Sequence, residues 1–309
     1  MTSRTIAITG ATGFIGERLT EALQARGDAV IALTRDRARA AQELPPARYP
    51  GLRVVEYSPD RLGDWVGALE GADAVVHLAG APINGRWTPE FKKAILDSRK
   101  QGTHALVEAL AALSRRPEAL ISASAARYYG TSETALFDED SPPGPISDYL
   151  SFVCRHWENE ALRAKTLGMR VAVARFGFAL AMGTTFKKAL PVLGRFMGGR
   201  VGTGRQWVSW IHRDDIAQAL IRLIDDPALD GPFNLTAPNP VRMRDFSATM
   251  AQVTGGKTPL PVPGAVIRQF LGDGATVILD GQQVAPKRLT EAGFAFSHPD
   301  LRPALATIL

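Results

Sequence analysis

The sequence predicts an α/β protein built on a doubly wound parallel sheet, with a smaller lobe toward its C-terminal end. Three observations carry this. Residues 5–34 read as strand, helix, strand, with three glycines where the first strand meets the helix. Short apolar strands then keep alternating with helical spacing as far as Phe176, the pattern of a parallel sheet covered on both faces. From about Pro238 the chain changes to short segments punctuated by proline and glycine.

The elements follow in order. Thr5–Thr9 is a β-branched run that stops at Gly10. Ile15, Leu19 and Leu23 then share one helical face, and Gly27 closes that helix. Ala29–Thr34 is a second strand, Leu52–Tyr57 a third, and Asp73–Ala79 a buried fourth. Leu106, Val107, Leu110 and Leu113 have helical spacing, and Leu120–Ser124 is the next strand. Tyr149–Ala164 is a helix with Tyr149, Phe152/Val153, His156/Trp157 and Ala161 on one side, and Met169–Phe176 is a further strand. This assigns 1–236 to the sheet domain and 237–309 to the smaller, substrate-side lobe. The stretch 177–207, which includes Gly198-Gly199-Arg200-Val201-Gly202-Thr203-Gly204, is a candidate to pack on that lobe.

Composition narrows the function. With 45% apolar and 22% charged residues, the 309-residue chain is ordinary for a globular protein. The net charge of +5 is scattered, and Asp36 and Glu43 interrupt the cluster Arg35, Arg37, Arg39, so no basic face for nucleic acid is expected. One cysteine, Cys154, excludes an intramolecular disulfide and a cysteine-rich zinc site. No spacing of His, Cys, Asp and Glu suggests a metal site. No apolar run reaches a membrane span of ~18 residues, and no signal peptide is evident, so a cytoplasmic location is expected. Oligomeric state is not legible.

The glycine triplet is the strongest functional signal. Gly10-Ala11-Thr12-Gly13-Phe14-Ile15-Gly16 follows a strand and opens a helix. The first glycine allows a tight turn, the second lets backbone N–H groups approach a pyrophosphate, and the third permits close helix–strand packing. The helix N-terminus then meets the phosphates with its positive end. The spacing is Gly-x-x-Gly-x-x-Gly, and its context is that of a Rossmann-type dinucleotide site. The end of the second strand selects the cofactor. An acid there holds the ribose hydroxyls of NAD, whereas an arginine accommodates the 2′-phosphate of NADP. Thr34-Arg35 comes first and Asp36 second, which favours NADP, with Arg35 on the 2′-phosphate, over NAD.

Further motifs carry a resemblance. Thr9–Gly16, His77-Leu78-Ala79-Gly80, Ser122-Ala123-Ser124, Tyr128-Tyr129-Gly130 and Trp210-Ile211-His212-Arg213-Asp214-Asp215 resemble the extended short-chain dehydrogenase/reductase superfamily, which includes sugar-nucleotide epimerases and dehydratases. Arg86-Trp87-Thr88, Ser98-Arg99, Asp138-Glu139-Asp140-Ser141-Pro142, Trp157-Glu158, Gly281-Gln282-Gln283-Val284 and Pro286-Lys287-Arg288-Leu289 resemble the YfcH-like epimerases, an atypical branch. The resemblance covers nearly the whole chain. It implies a catalytic serine at Ser124 and an acid/base tyrosine at Tyr149. The superfamily places a lysine four residues after that tyrosine, and here Val153 stands there.

That departure matters physically. A free tyrosine titrates near ~10, and poising it near 7 takes about 4 kcal/mol of differential stabilisation. Val153 supplies none. Arg127, Arg155 and Lys165 are the candidate replacements. Two functions therefore stay open. One is an NADP-dependent oxidoreductase, or an epimerase that uses its cofactor internally. The other is an NADP(H)-binding protein with little turnover that senses the cofactor's redox ratio. Leu78, Ala79 and Gly80 are small enough for the adenosine side of the cofactor to lie against them, and Arg99 is placed to reach a phosphate or ribose. Tyr128, Arg205 and Trp207 are candidate contacts for an unidentified small-molecule substrate. His77 and His212 read as structural hydrogen-bonding residues.

Overall fold

The computed structural model describes residues 3–59, 61–180, 201–255 and 261–308. Gly198, Gly199 and Arg200 of the glycine-rich segment lie outside them.

Seven parallel strands form the central sheet: β1 (Thr5–Thr9), β2 (Ala29–Thr34), β3 (Leu52–Glu56), β4 (Ala74–His77), β5 (Ala119–Ala125), β7 (Arg170–Phe176) and β11 (Gly231–Leu235). Four short strands interrupt this series, β6 (Leu136–Phe137) between β5 and β7, and β8 (Phe178–Leu180), β9 (Trp207–Val208) and β10 (Trp210–His212) between β7 and β11. The sheet order is β11-β7-β5-β4-β1-β2-β3. The direction of winding reverses between β1 and β4, and a doubly wound sheet binds its ligand at the carboxyl ends beside such a reversal. Gly10 ends β1 there and Leu78 follows β4.

The strands read as continuous apolar runs because both faces are buried. Ile6 and Ile8 of β1 face one cluster together with Leu19 and Leu23 of helix α1 (Phe14–Ala25). Ala7, between them, faces the opposite cluster with Leu106 and Leu110. Helix α2 (Arg37–Glu43) follows β2, and helix α3 (Pro89–Ala111) starts with Pro89 at its first turn and Thr88 as its cap. Helix α4 (Tyr149–Leu162) is capped by Asp148, whose carboxylate accepts the amides of Leu150 and Ser151. Helix α5 (Arg213–Asp225) closes the side that α1 covers, with Ile216, Leu220 and Leu223 in the same buried cluster.

A second, smaller cluster gathers Leu180, Val208, Trp210, Ala237, Met250, Leu301 and Leu305. Residues 178–180 and 207–210 therefore pack with the tail, and β9 pairs antiparallel with β12 (Val241–Arg242). The tail also returns to the main sheet. Strand β13 (Gln283–Val284) pairs with β6, and Leu289, Phe294 and Phe296 pack against the α1/α5 side.

Candidate cofactor and active site

The glycine loop is shaped by contacts of the fold itself at all three positions, least tightly at Gly13, where a Cβ would stand 3.1 Å from the Gly10 carbonyl oxygen. Gly10 has φ +73°, and a Cβ there would stand 3.0 Å from the Ala79 amide. A Cβ on Gly16 would stand 2.2 Å from the Gly10 carbonyl oxygen, so α1 packs on the turn only with hydrogen at that position. Gly13 is exposed and caps α1 without any side-chain hydrogen bond. The first amides of α1 therefore present their positive end outward, toward the carboxyl ends of β1 and β4. Thr12 is half-exposed beside it, and Ile15 faces inward onto the core. Phe14 is covered by the Arg213 guanidinium, 4.7 Å from its ring centre, and Arg213 also pairs with Glu17 at 2.9 Å.

Thr9 and His77 hold the two strand ends together. Thr9 Oγ1 is 2.7 Å from His77 Nδ1 and accepts the amides of Leu78 and Ala79, while His77 Nε2 meets Thr103 Oγ1 at 3.0 Å. Burial, with Arg99 adding to it, pulls the His77 pKa from 6.5 down to about 4. Unfolded imidazole takes up its proton near 6.5, so between those values the unfolded chain holds more protons. Stability should fall as pH drops from about 6.5 to about 4, by about 3 kcal/mol from this group, and stay level above that window. Denaturant melts across that range check it: His77→Gln should flatten the slope, and an unchanged slope would remove His77 as its source.

At the end of β2 the two competing side chains have different work. The Asp36 carboxylate accepts the Arg39 amide at 2.9 Å and so caps α2, and Arg39 is paired with Glu43. Thr34 Oγ1 braces the same turn, donating to the Asp36 carbonyl oxygen and accepting its amide. Arg35 is exposed and makes no ion pair among the described residues.

Arg99 sits behind the end of β4. Its guanidinium is bound by the carbonyl oxygens of Ala81 and Ile95, both at 3.1 Å, lies 4.9 Å from the Trp157 ring centre, and would be 3.3 Å from a Cβ on Gly80. It has no carboxylate partner among the described residues. Burial depresses its pKa, the signature of a cation lacking a counter-charge.

Tyr149 lies in the wall of a cavity of about 650 Å3, with Trp87, Lys92, Asp148, Arg268 and Thr276 among its neighbours. Its hydroxyl donates to the Lys92 carbonyl oxygen, and its ring packs edge-on against Trp87. Burial raises its pKa above the usual phenol value, offset only in part by Arg99. Val153 is 1% exposed, in an apolar cluster with Trp87, Ile95 and Leu150. Two of the three candidate replacement cations are paired, and the third lies on another cavity. Arg127 binds Asp148 and Thr276, Lys165 pairs with Asp230, and Arg155 lines a separate cavity of about 320 Å3.

Ser124, one residue before the end of β5, is fully buried and donates to Glu158 at 2.6 Å. No hydrogen bond joins it to Tyr149 among the described residues. Glu158 in turn forms a two-pronged pair with Arg175, at 2.9 and 2.8 Å, with both side chains at most 6% exposed. Arg175 donates to the Tyr129 hydroxyl, which donates to Asn234, whose amide N–H donates to Glu139. Burial alone would lower the Arg175 pKa, but hydrogen bonding and charge from Glu158 outweigh it and raise it. The sequence reading passed over this network. Ser124, Tyr129, Glu139 and Glu158 each stood in a sequence motif, but Arg175 falls inside an apolar strand and nothing in the spacing joined them. Cys154 lies beside it, its thiol pushed up to about 12 by burial and by Glu158.

The remaining candidates lie elsewhere. Tyr128 lines the smaller cavity and stacks on Arg175 at 3.5 Å. Arg205 is exposed and paired with Glu133. Trp207 donates to the Glu133 carbonyl oxygen and is covered by Arg242. Neither lines the cavity beside Tyr149.

A seven-stranded doubly wound sheet with an uncapped glycine turn at its point of reversal defines a Rossmann-type nucleotide-binding protein. The chain belongs to the NAD dependent epimerase/dehydratase family, whose sequence profile matches residues 6–235, within the extended short-chain dehydrogenase/reductase superfamily. A second profile, a domain of unknown function (DUF1731), matches 262–308. The chain is 42% identical over 308 residues to the chloroplastic "Epimerase family protein SDR39U1 homolog" of Arabidopsis thaliana, covering 99% of this chain and 86% of that one. It is 36% identical over 308 residues to "Epimerase family protein YfhF" of Bacillus subtilis, covering 98% and 97%. Among solved structures, human SDR39U1 (isoform 2) with NADPH superposes with a TM-score of 0.86 at 32% identity over 98% of both chains. Among the described residues no helix is long and apolar enough to cross a membrane.

Proposed function

We propose that this protein is an NADP(H)-dependent oxidoreductase of the short-chain dehydrogenase/reductase type, acting in the cytoplasm on a small substrate in the cavity beside Tyr149. The observation that carries the cofactor choice is the division of labour at the end of β2. Asp36 is committed to capping α2, while Arg35 stands free at the position that meets the adenosine ribose. The glycine cradle fits a pyrophosphate for the reasons given above, and the NADPH in the human relative's structure supports the same choice. Arg99, short of a counter-charge, suits a phosphate or ribose oxygen on the β4 side.

The bound cofactor would supply a hydride. The chain would supply the proton. With its pKa raised, Tyr149 is a phenol at neutral pH, which suits a donor to substrate oxygen in the reducing direction. Its hydroxyl would exchange the Lys92 carbonyl for that oxygen. A second reading, cofactor binding without turnover, is favoured by one specific observation: the apolar burial of Val153 where a lysine would assist the tyrosine.

Titrating NADPH and NADH into the wild type and Arg35→Ala tests the cofactor assignment. Charge-assisted hydrogen bonds are worth about 1.5–3 kcal/mol, so the variant should bind NADPH roughly 10- to 150-fold more weakly and NADH unchanged. Equal weakening of both, or of neither, would remove Arg35 from the site. Tyr149→Phe separates the two readings. Turnover should fall by two orders of magnitude or more with NADPH affinity intact, on the scale of ~10²–10⁴ for a positioned acid. Undiminished turnover would make the tyrosine structural.

A further inference from the structure

We propose that His212, Asp214 and His298 form a binding site for one divalent transition-metal ion of the zinc class. The three side chains are brought together by the fold. His212 ends β10, Asp214 lies in the first turn of α5, and His298 belongs to the tail. Each offers one donor atom, and these atoms lie within 4.8 Å of one another. The two imidazole rings are 3.8 Å apart between centres, tilted by 41°. The site stands apart from the cavity beside Tyr149 and shares no residue with it.

The surroundings hold His212 and Asp214 through outer partners and hold the backbone of the segment that carries His298. Thr307 Oγ1 donates to the Ala304 carbonyl oxygen, so toward His212 Nε2, 3.2 Å away, it acts as acceptor. That places the His212 proton on Nε2 and the lone pair on Nδ1, which faces Asp214 Oδ2 at 3.9 Å. Arg18 holds the other Asp214 oxygen at 2.5 Å. The fully buried Asp215 carboxylate accepts the amides of Ser297 and His298 and so fixes the tail segment that carries the second imidazole. His212 Nδ1 also accepts the Asp214 amide at 3.1 Å, and this is the contact the ion would displace.

Zinc holds nitrogen at about 2.0–2.1 Å and carboxylate oxygen at about 2.0–2.2 Å in a tetrahedron, which sets donors roughly 3.4 Å apart. No pair of donors has to close by more than about 1.4 Å. Asp214 is 40% exposed and His298 half-buried, so both can move onto the buried His212. Two imidazoles and one carboxylate suit zinc, cobalt or nickel, whereas calcium and magnesium prefer oxygen sets. The fourth position is left for water. The ion would clip the β10–α5 junction to the tail.

The test uses the full-length, tag-free chain, stripped of metal and titrated with cobalt(II), whose tetrahedral complexes absorb visible light. The wild type should take up one equivalent with a saturating visible band. Zinc should displace it and raise the melting midpoint, and magnesium should do neither. His298→Ala and Asp214→Asn should each weaken uptake tenfold or more. Circular dichroism of both variants confirms that they are folded. Non-saturating uptake by the wild type, or equal uptake by folded His298→Ala, overturns the proposal.

Discussion

Glu158→Leu should cost about 3–5 kcal/mol of folding stability, because it strands the Arg175 guanidinium in the interior without its counter-charge. The magnitude follows from burial. Both partners of the pair are at most 6% exposed, and the two-pronged pair satisfies both carboxylate oxygens. Ser124 would lose its acceptor in the same step. Replacing both partners with apolar residues, Glu158→Leu with Arg175→Met, should recover much of the loss, since what destabilises is an unpaired buried charge and not the absence of a pair. Chemical denaturation of the two variants checks this. A single-variant cost under about 1 kcal/mol would mean that solvent reaches Arg175 through the smaller cavity it lines. Any loss of turnover in Glu158→Leu should then be read against its stability, since the Ser124 hydroxyl donates to Glu158.

Val153→Lys should destabilise the protein by about 4–7 kcal/mol rather than rebuild the superfamily's tyrosine–lysine pair. Position 153 is enclosed by Trp87, Ile95 and Leu150, and a lysine forced into such a site typically has its pKa lowered by ~3–5 units, at about 1.4 kcal/mol each. The sign is specific. With the folded pKa depressed below the unfolded value near 10, the unfolded chain holds the extra proton in between. The deficit should therefore be fully present below the folded pKa and shrink as pH climbs from there toward 10. Thermal melts at pH 7 and pH 10 measure it. A variant as stable as the wild type, with faster turnover, would show that residue 153 faces the cofactor cleft.

Much of the fold was legible because local and global signals agree in the first half of the chain. Thr5–Thr9 and Ala29–Thr34 were expected as strands and are strands with those bounds, because both lie in the sheet interior and are apolar on both faces. The glycine turn was legible for the same reason: Gly10 and Gly16 answer to contacts within one strand–helix unit. The seventh strand, Gly231–Leu235, was not anticipated. It begins Gly-Pro, which reads as a turn, and it is tolerated because β11 is the edge of the sheet.

The site was legible only where neighbours in sequence are neighbours in function. Asp36 looked like an argument for NAD until its helix-capping role became visible, and that role depends on where α2 begins. The network through Ser124, Glu158, Arg175, Tyr129 and Asn234 joins four separate segments, so no spacing announces it. The pairing of His212 with His298 was hidden in the same way. Tyr149 was expected from a motif. Its environment, with a carbonyl as partner and an apolar residue one turn later, depends on how α4 packs against α3.

A crystal structure of the protein with NADPH bound is the most direct test of the central claim, that the end of β2 and the glycine turn together hold an NADP-type dinucleotide. The account predicts the pyrophosphate over the amides that begin α1 and the 2′-phosphate within hydrogen-bonding distance of the Arg35 guanidinium, with Asp36 still capping α2. A 2′-phosphate directed into solvent, with the Asp36 carboxylate turned away from Arg39 onto the ribose and Arg35 making no contact, would contradict it.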